Sequence, residues 1–97
     1  MAPLTIRWTR QAIADLDHAF DFVATDDPRA ARVLIETIDR ATGGLTAHPQ
    51  LGRPGRVSGT RELVVPRTPY IVAYRLDRGT IAILAVIHGA RRWPERF

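Results

Sequence analysis

Cysteine is absent from this 97-residue chain, and so is lysine. Without cysteine there is no disulfide framework and no thiolate to act as nucleophile or metal ligand. Three histidines stand without the spacing of an HExxH helix, which argues against a zinc site, and the sequence implies no metal and no cofactor. No apolar run reaches the ~18 residues of a membrane span, and the start Met-Ala-Pro-Leu-Thr lacks the basic-then-apolar layout of a signal peptide. Low-complexity tracts and internal repeats are also missing. What remains is the expectation of a cytoplasmic protein with no membrane partner. Residues 1–97 form one domain, because a second core would not fit in this length. With 45% hydrophobic and 25% charged residues the chain is too apolar to stay disordered.

All 14 basic residues are arginine, against ten acids. They are unevenly spread. Residues 1–50 hold five arginines and seven acids, a net −2, whereas residues 51–97 hold nine arginines and three acids, a net +6. Clustered positive charge of this kind concentrates phosphates and acidic partners near a surface.

Leu4 to Trp8 alternates apolar and polar residues and reads as a short strand. Thr9 can cap a helix running to about Val23, with Ile13, Leu16, Phe20 and Val23 as its apolar stripe and Asp15, Asp17 and Asp21 towards solvent. Asp27 followed by Pro28 starts a second helix. Its stripe is Ala31, Leu34, Ile38, Ala41 and Leu45, with Gly43-Gly44 weakening or ending it before Leu45. So short a junction predicts an antiparallel helical hairpin. Glycine and proline make His48 to Thr60 a loop. Arg61 to Val65, Tyr70 to Leu76 and Thr80 to Ile87 follow as strands, the last two joined by the turn Asp77-Arg78-Gly79. The near-continuous apolar run of the last strand marks it as central and covered on both faces. The chain leaves the sheet at Gly89. The predicted class is α+β, in the order β-α-α-β-β-β, with the helical hairpin on one face of a small, mainly antiparallel four-stranded sheet. The second face is where function is sought.

Arg53 and Arg56 sit in the glycine- and proline-rich loop, where backbone and guanidinium groups can approach a phosphate. Arg61 opens the second strand, Arg67 lies in the turn after it, Arg75 is near the end of the third, and Arg91 and Arg92 follow the fourth. The meander gathers residues 61, 75–76 and 80 at one sheet end and 66–70 and 87–92 at the other. Two arginine groups so placed suit an extended polyanion. His88 stands beside arginines at a strand end. It can act as a general acid or base there, or else hydrogen-bond to backbone. His18 and His48 carry no such neighbours. Glu62, the sole carboxylate between residues 51 and 76, reads as the partner of a neighbouring arginine in preference to a general base. Tyr70 and Tyr74 share a face, either as core or as a platform on which a base can stack. Trp93 is expected to clasp the end of the helical hairpin.

Four stretches carry a resemblance. They are His48-Pro49-Gln50-Leu51-Gly52-Arg53-Pro54-Gly55-Arg56 with Gly59 to Val65, then Pro69-Tyr70-Ile71-Val72-Ala73-Tyr74-Arg75, and finally Ile87-His88-Gly89-Ala90-Arg91-Arg92-Trp93-Pro94. From Trp8 to Phe97 the chain resembles the RelE/ParE superfamily of bacterial type II toxin–antitoxin toxins, in the plasmid-stabilisation, RelE/StbE-like subgroup. The resemblance implies the fold order read above and a cognate acidic antitoxin. RelE-like members cleave messenger RNA on the ribosome without a metal: the 2′-hydroxyl attacks the adjacent phosphate while basic groups stabilise the charge. Carried over, that chemistry would use Arg61, Arg67, His88 and Arg91, with Arg53, Arg56, Arg75, Arg92 and Tyr70 binding the nucleic acid. The lysines of some ribonuclease members are absent here, and no tyrosine follows Arg92. ParE-like members share the fold and poison DNA gyrase by binding. The expectation taken forward is a ribosome-dependent endoribonuclease, with gyrase inhibition as the alternative.

Overall fold

The computed structural model describes residues 3–97. A first strand β1 (Thr5–Trp8) leads into helices α1 (Arg10–Ala24) and α2 (Pro28–Gly43) and a 3₁₀ turn (Gly44–Thr46). Strands β2 (Arg53–Pro54), β3 (Arg61–Val64), β4 (Tyr70–Asp77) and β5 (Thr80–His88) complete it. The sheet order is β1-β5-β4-β3-β2, with β1 parallel to β5 and every other pair antiparallel. The α+β class and the hairpin-on-sheet architecture are as expected. Among the described residues the strands number five rather than four. The added strand is the two-residue β2, in which Arg53 pairs with Glu62 and Pro54 with Arg61. At a sheet edge a proline's missing N–H is tolerated.

Local chemistry sets the helix ends. Thr9 accepts from the Ala12 amide at 3.2 Å and its hydroxyl donates to the Ile83 carbonyl at 2.9 Å, so one side chain closes β1 and opens α1. The Asp27 carboxylate takes the amides of Arg29 and Ala30, both at 3.1 Å, ahead of Pro28 at the first helical position. In α2 the predicted stripe holds: Ala31, Leu34 and Ile38 are buried, and Leu45 is buried in the turn beyond.

In α1 the stripe is rotated. Ala12 and Ala19 are the fully buried positions, with Leu16 and Val23 packed at the core margin, while Ile13 is 48% exposed and Phe20 38%. Small alanines let the helix lie close to β5 and α2, and hydrophobic periodicity undervalues alanine against isoleucine or phenylalanine. Asp15, expected in solvent, is half-buried instead. Pairing with β1 stops at Trp8–Ile83, so among the described residues β5 has a strand partner on the β4 side alone from Leu84 onward. Asp15 Oδ2 accepts the Val86 amide at 3.0 Å on that uncovered edge. A charged side chain here guards the edge against pairing with another chain.

The core lies between the hairpin and one sheet face. Tyr70, Val72 and Tyr74 of β4 enter it together with Ile81, Ile83 and Val86 of β5. The change of parity within β5 has a definite cause. Ala73 pairs with Ala85 but Tyr74 pairs with Ile83, so Leu84 is an extra residue, a β-bulge that turns both halves of the strand towards the helices. No helix among the described residues is long and apolar enough to cross a membrane.

Candidate functional site

The second sheet face begins with a buried carboxylate. Glu62 is 4% exposed, and both its oxygens are engaged. Oε1 accepts from Arg53 Nη2 at 3.1 Å and Nε at 3.3 Å. Oε2 accepts the Arg56 backbone amide at 2.8 Å and lies 3.5 Å from Arg56 Nε. These are the two ion pairs among the described residues. The expectation that Glu62 pairs with a neighbouring arginine is met, by two of them. Arg56 in turn lies over the Trp93 ring, its Cζ 3.8 Å from the ring centroid. Trp93 therefore goes to the β2–β3 loop and not to the end of the hairpin as expected. The residues after it, Pro94 and Phe97, reach the groove beside α1. The cationic attraction of Arg56 accounts for the difference.

Arg61 has another use. Its Nη1 donates to the Gly52 carbonyl at 2.8 Å and to Gln50 at 3.4 Å. Tyr74, its cross-strand partner, donates its hydroxyl to Pro49 at 2.8 Å and accepts the Gly52 amide at 2.9 Å. Together they pin residues 49–52. Room is short there, since a Cβ on Gly52 would stand 2.7 Å from the Tyr74 ring.

At the other sheet end Tyr70 pairs with His88, and their rings meet edge-on with centroids 5.5 Å apart. Tyr70 is 7% exposed and belongs to the core, the first of its two readings, and it also lines the cavities at this end. His88 Nδ1 accepts the Ala90 amide at 3.2 Å, the backbone bond foreseen as one of its two readings. An acceptor at Nδ1 places the proton of the neutral ring on Nε2. His88 lies between two cavities. One, of about 870 Å³, runs along the uncovered edge of β5 and is lined by Arg91, Arg92 and Arg96 as well as Phe22 and Phe97. The other, about 530 Å³, lies between the hairpin and the β3–β4 turn and includes Arg40, Arg67, Phe22 and Val33. Arg67 holds a left-handed backbone, φ 63°, in that turn.

The structure thus brings Arg67, His88 and Arg91 around one strand end and leaves Arg61 outside the group. Arg53 and Arg56 cluster on Glu62. Arg75 is exposed on β4, paired in register with Ala82, whose other neighbour is Arg7. Arg7, Ala82 and Arg75 therefore form a cross-strand row, and Arg7 went unnoticed because it lies in the acidic half of the sequence. A single signal could have found it: the alternation of β1 aligned on β5. Arg40 and Arg96 were missed for want of any local pattern. Among the described residues no group of acids and histidines is placed to hold a metal ion.

Residues 6–93 match the family described as the ParE toxin of the type II toxin–antitoxin system parDE. The chain belongs to that family, within the RelE/ParE superfamily. It is 41% identical over 98% of its length to a candidate toxin named Y4kP of Sinorhizobium fredii, covering 98% of that protein. It is 31% identical over 87% of its length to Toxin RelE2 of Caulobacter vibrioides, covering 93% of that protein. Among solved structures it is similar to a chain of the chromosomal ParDE system of P. aeruginosa, with a TM-score of 0.79 and 32% identity over 88% of this chain and 95% of that one. It is also similar to a chain of the RelBE2 toxin–antitoxin complex of Mycobacterium tuberculosis, with a TM-score of 0.57 and 32% identity over 90% of this chain and 99% of that one.

Proposed function

We propose that this toxin acts by binding its target stoichiometrically, in the ParE manner, and that the target is DNA gyrase. The observation that carries the reading is the separation of Arg61 from His88. Cleavage in the RelE manner would bring Arg61 together with Arg67, His88 and Arg91 on one phosphate. Here Arg61 spends its Nη1 on two loop carbonyls, in the row of Tyr74, while His88 stands in the row of Tyr70. What remains at the His88 end is a surface suited to docking: unpaired arginines beside apolar side chains, Phe22 being 67% exposed and Val33 59%. Before the target is met, an acidic antitoxin with an apolar helix or strand covers that surface.

One observation favours ribosome-dependent RNA cleavage as a second reading. His88 keeps Nε2 free of any partner among the described residues, and Arg67 lines the same cavity. Induction in cells separates the two, followed by a transcript-end map and a plasmid supercoiling gel from one culture. Gyrase binding predicts intact messages, altered supercoiling or double-strand breaks, and a His88→Ala variant that stays toxic. New message ends at codon positions, with a rate cut about 10²–10⁴-fold by His88→Ala, would replace this reading with the ribonuclease.

A further inference from the structure

We propose that Glu62, Arg56 and Trp93 form a latch that positions Arg91 and Arg92 on the target-binding surface. The proposal rests on the docking reading above and concerns residues that need not touch the target.

The C-terminal segment is tied down at two places. At its start the Gly89 amide donates to the Pro69 carbonyl at 2.7 Å, the Ala90 amide to His88 Nδ1, and the Arg91 amide to the His88 carbonyl at 3.0 Å. After Arg91 the chain has no regular structure, and among the described residues no further backbone hydrogen bond holds it. The second anchor is the Trp93 ring beneath Arg56. Arg91 and Arg92 are strung between these two points, so the placement of their guanidinium groups depends on both.

The receiving side is rigid. The loop carrying Arg56 closes through Gly55 N to Thr60 O at 2.8 Å. It is packed so tightly that a Cβ on Gly55 would collide with Thr60 Oγ1. Glu62 takes both the amide and the side chain of Arg56, which aims the guanidinium. The arrangement selects an aromatic face and a cation: tryptophan presents the strongest π face, and a planar guanidinium stacks on it with its N–H edges left free. Trp93 Nε1 is buried with no hydrogen-bond partner, so the contact is made by the ring and not by its N–H. Ile71, Ala73 and Ala85 are buried although alternation points them away from the helices, and a Cβ on Gly89, at the start of the tail, would stand 3.5 Å from Ile71 Cδ1.

The test uses the full-length toxin with purified gyrase, and the variants Trp93→Ala, Trp93→Phe and Arg56→Gln with the double variant Trp93→Ala/Arg56→Gln. Trp93→Ala and Arg56→Gln should each weaken gyrase binding by about tenfold, and the double variant no further, because both break the same contact. Trp93→Phe keeps a π face and removes the orphan donor, so it should bind within about threefold of the parent. NMR reads the latch itself. Backbone order parameters for residues 92–97 should fall below about 0.6 in Trp93→Ala and Arg56→Gln, and hold in Trp93→Phe. In Arg56→Gln the Trp93 indole proton should begin to exchange with solvent. Additive losses, a phenylalanine variant as poor as alanine, or an ordered tail in Arg56→Gln would overturn the latch. A parent toxin that leaves gyrase unbound would sink the docking reading, while the NMR outcomes still decide the latch.

Discussion

The arginines around β3 and those around the end of β5 carry the same charge and stand in different chemistry. Arg53 and Arg56 share a buried carboxylate, and Arg61 is bonded to loop carbonyls. Among the described residues Arg67, Arg91 and Arg92 have no acid within ion-pair distance, and they line open cavities. The first group is part of how the edge of the sheet is held. The second adds little to the fold and presents donors to whatever arrives. Net charge by sequence half cannot tell these uses apart, since all six residues count equally towards the +6. What separates them is whether a partner within the chain has already been supplied. One acid, Glu62, makes that difference for two of the arginines, and one tight loop makes it for the third.

The comparison predicts a graded set of losses. The largest follows removal of both Arg53 and Arg56 as alanine, which leaves Glu62 buried without a cation. Breaking a buried pair costs about 3–5 kcal/mol, and these arginines are 54% and 48% exposed, so about 2–3 kcal/mol is expected. Thermal unfolding should show a midpoint roughly 10–20 °C lower, given about 4–8 °C per kcal/mol for a domain this size. Adding Glu62→Gln should restore much of the loss. If it restores none, the arginine stems were holding the edge by packing and the ion pairs are incidental. Next comes Arg61→Ala, which strips a charged donor from the Gly52 carbonyl and should cost about 1.5–2 kcal/mol in urea unfolding. A neutral Arg61→Ala would place Arg61 with the free group and reopen its use in catalysis.

Which of these features could be read in advance depends on how local their causes are. Thr9, Asp27-Pro28 and Gly43-Gly44 bound the helices through bonds spanning at most four residues, and the Asp77-Arg78-Gly79 turn fixed the β4–β5 pairing. The gathering of Arg67, His88 and Arg91 followed from that pairing alone. The pairing of Arg53 with Glu62 was open to a chemical guess, but β2 itself was not, because two residues carry no periodic signal. The rotation of α1 onto Ala12 and Ala19 depends on how near β5 comes, a tertiary distance. The Leu84 bulge hides inside a run in which every residue is apolar, so no alternation is there to be broken. Arg61 was assigned to catalysis through the family resemblance. Its use on Gly52 needed the loop 49–52 to fold back over Tyr74, and no pattern announces that.

A smaller effect, of opposite sign, comes from Arg67. The Thr68 amide donates to the Val65 carbonyl at 3.2 Å across Pro66 and Arg67, a turn whose third position requires positive φ. Glycine is the residue for that position, and an arginine there costs about 1 kcal/mol of strain. Arg67→Gly relieves the strain and adds entropy to the unfolded chain, so a net gain of up to about 0.5–1 kcal/mol is expected. If the strain is kept because the guanidinium meets the target, the variant will be more stable and less toxic together. Greater stability with full toxicity would remove Arg67 from the working group.

The smallest expected change in stability belongs to Arg91→Ala with Arg92→Ala, and it bears most directly on the contrast. Both residues are exposed and make no side-chain bond among the described residues, so the pair should alter unfolding by no more than about 0.5 kcal/mol. Their backbone anchor, the Arg91 amide on His88, survives the substitution. Target binding should nevertheless fall, and what remains should depend less on salt, because screened attraction between exposed charges is the part removed. Arg91→Gln with Arg92→Gln keeps the polar stems and should show the same loss if charge is responsible. A midpoint shift approaching that of Arg53→Ala/Arg56→Ala would mean that the two groups differ in degree only. An unchanged midpoint with lost binding would separate the arginines that hold this fold from those it holds out.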